Sequence, residues 1–428
     1  MLHKIIFKLG TFVRNREIFS SYKLLKKTES WDINKLEEFQ YSQCKDLLEW
    51  TYNNSVYYRR KFEEHDIKPN DFKSLADIKK FPIISKEELL EFNKEIHTKK
   101  LSEKVFFSET SGSSGQSLKF YRNATWDARH RAAIFRGYSW FNVKPWERNG
   151  YFWGYNINPT RRRKVALMDA LVNRFRIFSY KTEDIRSFAR KLIKASYVEG
   201  YSSMIYEVAK IINKERLNSN IKLKMVKGTS EKIYDSYQEE VKKAFGIKMV
   251  SEYGAAEAGI IAFECPEGNM HITMENVIVE ESNGEILVTN LLSKSFPIIR
   301  YSLGDYITIS SKTNCKCGMQ HKIIESVLGR VGKQVVGTEH VYPSLTFYYV
   351  FKNLAIEQNL ILNYQIIQKV AGELEVLIEQ KLNRDDRELL LGEFYKYFGD
   401  DIKVNLEDEK AIKAVNGKLR DFISEIDN

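Results

Sequence analysis

Cysteine is scarce in this sequence: four residues in 428. That is too few for a disulfide scaffold. Three of them lie in a pattern that reads as metal binding, and both points favour a reducing compartment. No apolar run approaches the roughly 18 residues that a membrane span needs. The first residues carry no small-residue cleavage site, so no secretory leader is expected. There are no internal repeats, no low-complexity tract and no long linker.

Positive charge is plentiful. The formal net charge is +10, which favours anionic partners such as nucleotides, CoA, nucleic acid or an acidic membrane face. No basic motif with interleaved aromatics is present, so a nucleic-acid partner is not expected. The start, MLHKIIFKLGTFVRNR, is basic and amphipathic, with Ile5, Ile6, Leu9, Phe12 and Val13 at helical spacing. Such stripes usually face a core, and an ordinary packed helix is the first expectation. A helix lying on a membrane surface is the alternative.

The length suggests two or three domains. Residues 1–100 read as mostly helical, with Ser85 and Glu88 placed as N-cap and N3 of a capping box. Residues 105–125 read as strand, tight loop, strand. From about 220 the strands become dense, and Glu231–Phe245 reads as a helix between two of them. That is a βαβ signature, which implies a parallel sheet. After Gly329 and Arg330 the texture becomes that of a small α+β domain, with YQIIQ and LEVLIEQ as strands and a helix from Arg384 to Tyr397.

The loop Thr110, Ser111, Gly112, Ser113, Ser114, Gly115 concentrates hydroxyls and glycines. Glycine lets backbone approach a ligand closely, and hydroxyls with loop amides can bind phosphate oxygens. The Walker A order is absent, and taken alone such a cluster is more often a plain turn. Four further segments accompany it: Ser251 to Glu257 (SEYGAAE), Pro297 to Asp305 (PIIRYSLGD), Gly329-Arg330 and Asn416-Gly417-Lys418.

The order and spacing of these five segments resemble the adenylate-forming superfamily. Gly228-Thr229-Ser230-Glu231, YGAAE, RYSLGD and a Cys-x-Cys-Gly knuckle look like the phenylacetate–CoA ligase branch, including the CapK-type proteins of capsule and O-antigen clusters. The resemblance covers nearly the whole chain. It implies an α/β fold: a large N-terminal domain of mixed α/β sheets over 1–329 and a small mobile C-terminal α+β domain over 330–428.

The resemblance also implies roles. Residues 110–117 would hold the β- and γ-phosphates of ATP, with Ser230, Glu231, Gly254 and Ala255 among the nucleotide contacts. Tyr253 would stack on adenine, Asp305 would accept from the ribose hydroxyls, and Arg330 would lie near ribose or phosphate. Glu257 would bind Mg²⁺, a hard cation that prefers carboxylate oxygen. Lys418 would neutralise charge as a carboxylate attacks the α-phosphate, where positioning and electrostatics do most of the work. Each has a plainer reading: Tyr253 as a core aromatic, Glu257 as a helix-start residue, Asp305 as a turn cap, Lys418 as a solvated charge. The sequence also departs from the family. The basic residue usual after the phosphate loop is displaced, with Leu118 preceding Lys119. At the hinge, where acidic residues are common, Val331-Gly332-Lys333 stands.

Cys265, His271, Cys315 and Cys317 make up a Cys₃His set, a standard tetrahedral zinc site. With four protein ligands it would be closed and structural. Buried free cysteines are the alternative. Tyr138 to Phe141 and Tyr151 to Tyr155 read as an aromatic core or an acyl-pocket lining. Arg161 to Lys164 read as a solvated basic turn or a contact for CoA phosphates or an anionic precursor.

The chain is therefore expected to be a cytoplasmic ATP- and Mg²⁺-dependent ligase, monomeric or homodimeric. It would pass an activated acyl group to a thiol such as CoA, or to an amine of an amino acid or sugar precursor, in surface-polysaccharide synthesis. The alternatives are an aryl- or acyl-CoA ligase of catabolism and a non-catalytic nucleotide-binding relative.

Overall fold

The computed structural model describes residues 2–98, 103–110, 117–152, 159–177, 182–230, 233–312, 314–328, 334–358, 360, 362–410 and 422–426. The chain divides into two compact units. One gathers residues 1–110, 118–147 and 250–330, the other 111–117, 148–249 and 331–428.

The first unit contains the expected helical lead, with helices Leu2–Arg14, Glu17–Thr28, Ile33–Asn54 and Val56–Glu64. Asp32 starts the third of these by accepting the Lys35 N–H. The predicted capping box opens Lys86–Glu91. Ser85 Oγ takes the Glu88 N–H and the Glu88 carboxylate takes the Ser85 N–H, which satisfies two donors otherwise orphaned at a helix start. The hairpin Val105–Glu109 and Lys119–Asn123 follows, in antiparallel register. Helix Ala124–Trp140 then packs along Glu17–Thr28.

The first helix corrects the expectation of a buried stripe. Leu2, Ile5, Leu9, Phe12 and Val13 are all exposed, and Leu2–Arg14 buries none of its residues fully. A different face makes the contact: Phe7 meets Phe135 edge-on at 5.5 Å and Trp146 at 5.9 Å. Periodicity located the apolar face, but not what lies against it.

The rest of the first unit is an antiparallel series. In sheet order its strands are Val277–Ser282, Glu285–Asn290, Tyr301–Ile309, Ile323–Leu328, Met270–Ile272, Gly259–Glu264 and Met249–Ala255. Tyr58, Phe62, Phe120, Trp126, Ile272 and Val288 share its buried core.

In the second unit, strands Arg174–Arg176, Asn149–Phe152, Tyr197–Tyr201 and Met225–Thr229 are parallel neighbours in that order. Parallel pairing needs crossovers, and helices Thr182–Leu192 and Ser202–Lys214 provide two of them. The expected helix is described from Asp235 to Phe245. Gly246 ends it at φ +74°, and its N–H bonds to the Lys242 carbonyl, a conformation that glycine takes without a side-chain clash.

The same unit holds the small α+β part. Its sheet order is Lys403–Glu407, Glu373–Ile378, Tyr364–Gln368, Phe422–Ser424, with helices Leu345–Glu357 and Arg384–Phe398. Phe347, Ile366 and Phe394 belong to the same buried core as Phe188, Val208 and Val226, and Tyr201 and Tyr349 hydroxyls lie 3.0 Å apart. Among the described residues no helix is long and apolar enough to cross a membrane.

Candidate functional site

Tyr253 and Asp305 sit on separate strands, Met249–Ala255 and Tyr301–Ile309, and are joined: the Tyr253 hydroxyl donates to Asp305 Oδ2 at 2.7 Å. A bulge lies at Asp305. Leu287 is paired with Ser302 and Glu285 with Tyr306, so two steps along one strand answer four along its neighbour. Gly304, inside the irregularity, has φ +83°. Extra residues of this kind bend a strand and re-aim a side chain, and they recur beside active sites.

Glu257 lies in the turn between Met249–Ala255 and Gly259–Glu264 and is buried. The Tyr301 hydroxyl donates to its Oε1 at 3.2 Å. Asn290 Nδ2 donates to the Glu257 and Ala258 carbonyls at 3.3 and 3.2 Å. The turn is tight enough to need its glycines. Gly259 has φ +85°, and a Cβ at Gly254 would come 2.4 Å from the Gly259 carbonyl oxygen.

Arg122 holds the same turn and was missed in the motifs. Its Nη2 donates to the Ala256 carbonyl at 2.5 Å, and its guanidinium lies 5.6 Å from the Trp126 ring. Its Nε is buried with no hydrogen-bond partner. Burial pulls its pKa down to about 10, which leaves it cationic at neutral pH. The available signal was strand alternation. Lys119 and Tyr121 are exposed, whereas Phe120 is buried and Arg122 shares its face.

Thr110 closes the base of the Ser/Gly loop. Its N–H donates to the Leu118 carbonyl at 3.0 Å, and its Oγ1 accepts the Leu118 N–H at 2.9 Å. Gly254 and Ala255 end the strand that carries Tyr253. Ser230 is exposed with φ +66°, a left-handed conformation uncommon for a residue with a side chain and frequent at functional sites. Ser111, Gly112, Ser113, Ser114, Gly115, Glu231, Arg330 and Lys418 lie outside the described residues.

The predicted metal set converges. The ligand atoms of Cys265, His271, Cys315 and Cys317 all lie within 4.8 Å of one another, and the Cys265 and Cys315 sulfurs are 3.8 Å apart. A tetrahedron with metal–sulfur bonds of about 2.3 Å sets sulfurs about 3.8 Å apart. His271 Nδ1 donates to the His321 carbonyl at 3.1 Å, and Nε2 faces Cys317 Sγ at 3.3 Å. A second hydrogen bond of this kind orients a ligating imidazole. Burial holds the His271 pKa down to about 4, so the ring is neutral, as ligation demands.

Burial pushes Cys317 up to about 12 and raises Cys265. Burial acts the same way on Cys315, but the Cys317 N–H at 3.5 Å and Asn269 Nδ2 at 3.2 Å more than offset it and lower its pKa. The donor set and its spacing fit a zinc ion, whose charge would favour the thiolates.

The aromatic run beside it is core. Tyr138 is buried, and Trp140 meets Phe263 at 5.7 Å and donates Nε1–H to Glu29 at 2.7 Å. Arg163 and Lys164 are exposed on helix Pro159–Leu171.

Two buried ionic clusters brace the same unit. Arg300 pairs with Glu280 through Nε and Nη2, and its Nη1 donates to the Lys79 and Phe81 carbonyls. Glu275 is inaccessible and binds Arg136 at 2.6 Å, His321 at 2.9 Å and the Thr28 hydroxyl. Burial raises the Glu275 pKa, but Arg136 and His321 outweigh it and hold the carboxyl well below the usual range.

No family model matches this sequence. Over 334 residues the chain is 23% identical to Protein CapK of Staphylococcus aureus, spanning 74% of this chain and 73% of that protein. Over 61 residues, 14% of each chain, it is 36% identical to phenylacetate-coenzyme A ligase of Escherichia coli strain K12. Among solved structures it superposes on 2-hydroxyisobutyryl-CoA ligase in complex with 2-HIB-AMP and CoA in the thioesterification state. The TM-score is 0.66 at 18% identity, over 93% of this chain and 91% of that one. The postadenylation state of that ligase gives a TM-score of 0.61 at 17% identity, over 94% and 92%. The chain has the fold of the adenylate-forming ligases, and the resemblance to the CapK and phenylacetate–CoA ligase branch is borne out.

Proposed function

We propose that this chain is an ATP-dependent ligase that activates a carboxylic acid as its acyl-adenylate and transfers the acyl group to a thiol or an amine. The observation that carries this reading is the Tyr253–Asp305 hydrogen bond. It couples a ring suited to purine stacking with a carboxylate suited to ribose hydroxyls, and it does so on the strand whose end leads into the buried Glu257.

In the first half-reaction a substrate carboxylate oxygen attacks the α-phosphorus, the bond to pyrophosphate breaks, and pyrophosphate leaves with the electron pair. Thr110 and the loop after it hold the phosphates, joined by Ser230 and Glu231, and Arg330 lies near ribose or phosphate. Glu257, fixed by Tyr301, would hold Mg²⁺, which would supply neutralisation of the phosphate charge. Lys418, on a small mobile domain over 330–428, offsets the charge gathering on the reacting oxygens. In the second half-reaction the acceptor thiol or amine attacks the acyl carbonyl, loses its proton, and AMP leaves. Cys265, His271, Cys315 and Cys317 would hold a zinc ion that is structural, since four protein ligands close its coordination.

Likeness to CapK along most of the chain favours an amine acceptor in surface-polysaccharide synthesis. A CoA acceptor is the second reading, supported by the short match to phenylacetate-coenzyme A ligase. The test is pyrophosphate release over a panel of acids, with CoA, amino acids and amino sugars offered in turn. Activity with one acid, lowered about 100-fold or more by Lys418→Ala, is the expected result. A Lys418→Ala variant that adenylates at the wild-type rate removes that lysine's role. Calorimetric ATP·Mg²⁺ binding without pyrophosphate release over the whole panel makes the chain a non-catalytic nucleotide-binding relative.

A further inference from the structure

Helix Leu2–Arg14 presents a face that the first unit does not use. Leu2 is 66% exposed, Ile5 49%, Leu9 60%, Phe12 58% and Val13 78%. At 100° per residue these five side chains fall on one stripe. Phe7 lies on the opposite side and ties the helix down against Phe135 and Trp146. The orientation is held a second time at the end of the helix, where Arg14 pairs with the buried Asp127 at 2.8 Å and stacks over Phe106 at 4.7 Å. The helix is therefore docked with its apolar stripe facing outward.

Charge says what covers the stripe. From residue 2 to residue 16 the cations are Lys4, Lys8, Arg14 and Arg16, and the first carboxylate in the chain is Glu17. Lys4 and Lys8 are exposed one turn apart along one flank of the stripe, with Lys4 braced 5.7 Å from the Trp146 ring. An apolar stripe beside exposed cations, with no acidic side chain among them, matches the boundary between acyl chains and anionic headgroups. A helix of 13 residues is about 20 Å long, too short to cross a hydrocarbon layer of about 30 Å, so it would lie in the surface plane.

We propose that helix Leu2–Arg14 binds an anionic lipid membrane surface, with Leu2, Ile5, Leu9, Phe12 and Val13 inserted at the acyl boundary and Lys4 and Lys8 against the headgroups. This inference stands independently of the proposed ligase activity. If both hold, activated acyl groups are delivered at a membrane face, to acceptors or products that are themselves confined there.

The experiment is vesicle co-sedimentation of the full chain. Vesicles containing phosphatidylglycerol are compared with pure phosphatidylcholine, at low and high salt. The wild type is expected to partition about tenfold or more in favour of the anionic vesicles and to lose most of that preference in high salt. Leu9→Glu with Phe12→Glu, and separately Lys4→Glu with Lys8→Glu, are each expected to cut binding to anionic vesicles by about tenfold or more. Pyrophosphate release and thermal midpoint should stay at wild-type values. If the apolar double variant misfolds, the lysine double variant carries the test, since both lysines are exposed. Equal partition on the two lipids overturns the proposal, as does wild-type binding by both variants. A dimer by sedimentation that Leu9→Glu with Phe12→Glu dissolves, with no vesicle binding, would show that the stripe joins two copies instead.

Discussion

The Tyr253 hydroxyl donates to Asp305 Oδ2 at 2.7 Å across two strands of one antiparallel series. One residue is thereby held by the other before any nucleotide arrives. Tyr253→Phe keeps the ring and removes only that donor. A hydrogen bond to a charged group contributes about 1.5–3 kcal/mol, so the KM for ATP should rise about 10-fold or more while kcat changes less. Steady-state kinetics on both parameters check this. An unchanged KM would mean that Asp305 is positioned by other contacts.

Arg122 secures the Ala256 carbonyl and with it the turn that carries Glu257. Arg122→Met removes the donor and the charge while keeping most of the stem. Adenylation should fall about 10-fold or more, with only a small loss of thermal stability. Arg122→Lys should recover little, because a compact ammonium does not keep the guanidinium's place beside the Trp126 ring while reaching the Ala256 carbonyl. Activity of Arg122→Lys equal to wild type would refute the geometric role.

The Cys₃His cluster predicts one zinc per chain by elemental analysis, lost in Cys265→Ser. Losing the ion should lower the thermal midpoint by about 5 °C or more, because ligation of a preformed site contributes directly to folding. A chelator should reproduce that drop in the wild type and leave Cys265→Ser unmoved. A wild-type preparation free of zinc, with the same midpoint with and without added metal, would count against the site.

Glu275 gives a signed pH dependence. Its folded carboxyl titrates below the ordinary glutamate value near 4.5. The unfolded chain thus takes up a proton first as pH falls. Stability from this group is fully present above about pH 4.5 and is lost progressively as pH drops toward the folded pKa. Glu275→Gln should flatten the acid limb of a stability-versus-pH curve. It should also cost about 3–5 kcal/mol at neutral pH, because Arg136 would remain buried without its partner. Replacing Arg136 and Glu275 together by Met should recover much of that loss. Denaturant unfolding across pH measures all three.

Local chemistry was legible in the sequence. The Ser85–Glu88 capping box, the hairpin around the Ser/Gly loop and the helix from Arg384 follow from spacing and propensity alone. The Cys₃His convergence was legible too, because few residue types tolerate that pattern by chance. Arg122 was legible only in part: alternation puts it on the face of Phe120, but does not say which loop, more than 130 positions away, that face meets. The same limit explains the first helix: the period revealed its stripe, while the partner of that stripe depends on Phe7 docking against Phe135. The Asp305 bulge is an intermediate case. Gly304 announces it, but the two extra residues appear only once Glu285–Asn290 is laid alongside.

Arg300 and Tyr301 are consecutive and face different duties. Arg300, at φ +44°, reaches Glu280 and the carbonyls of Lys79 and Phe81. Tyr301 reaches Glu257, and Ile84 bonds backbone to backbone on either side of it. The segment 79–84 is in effect spliced onto the strand whose Tyr301 holds Glu257. A chimera that exchanges the helical lead for a relative's, with its junction after residue 84, would therefore change how Tyr301 holds Glu257 from a distance in sequence. Lead and strand have to be inherited together.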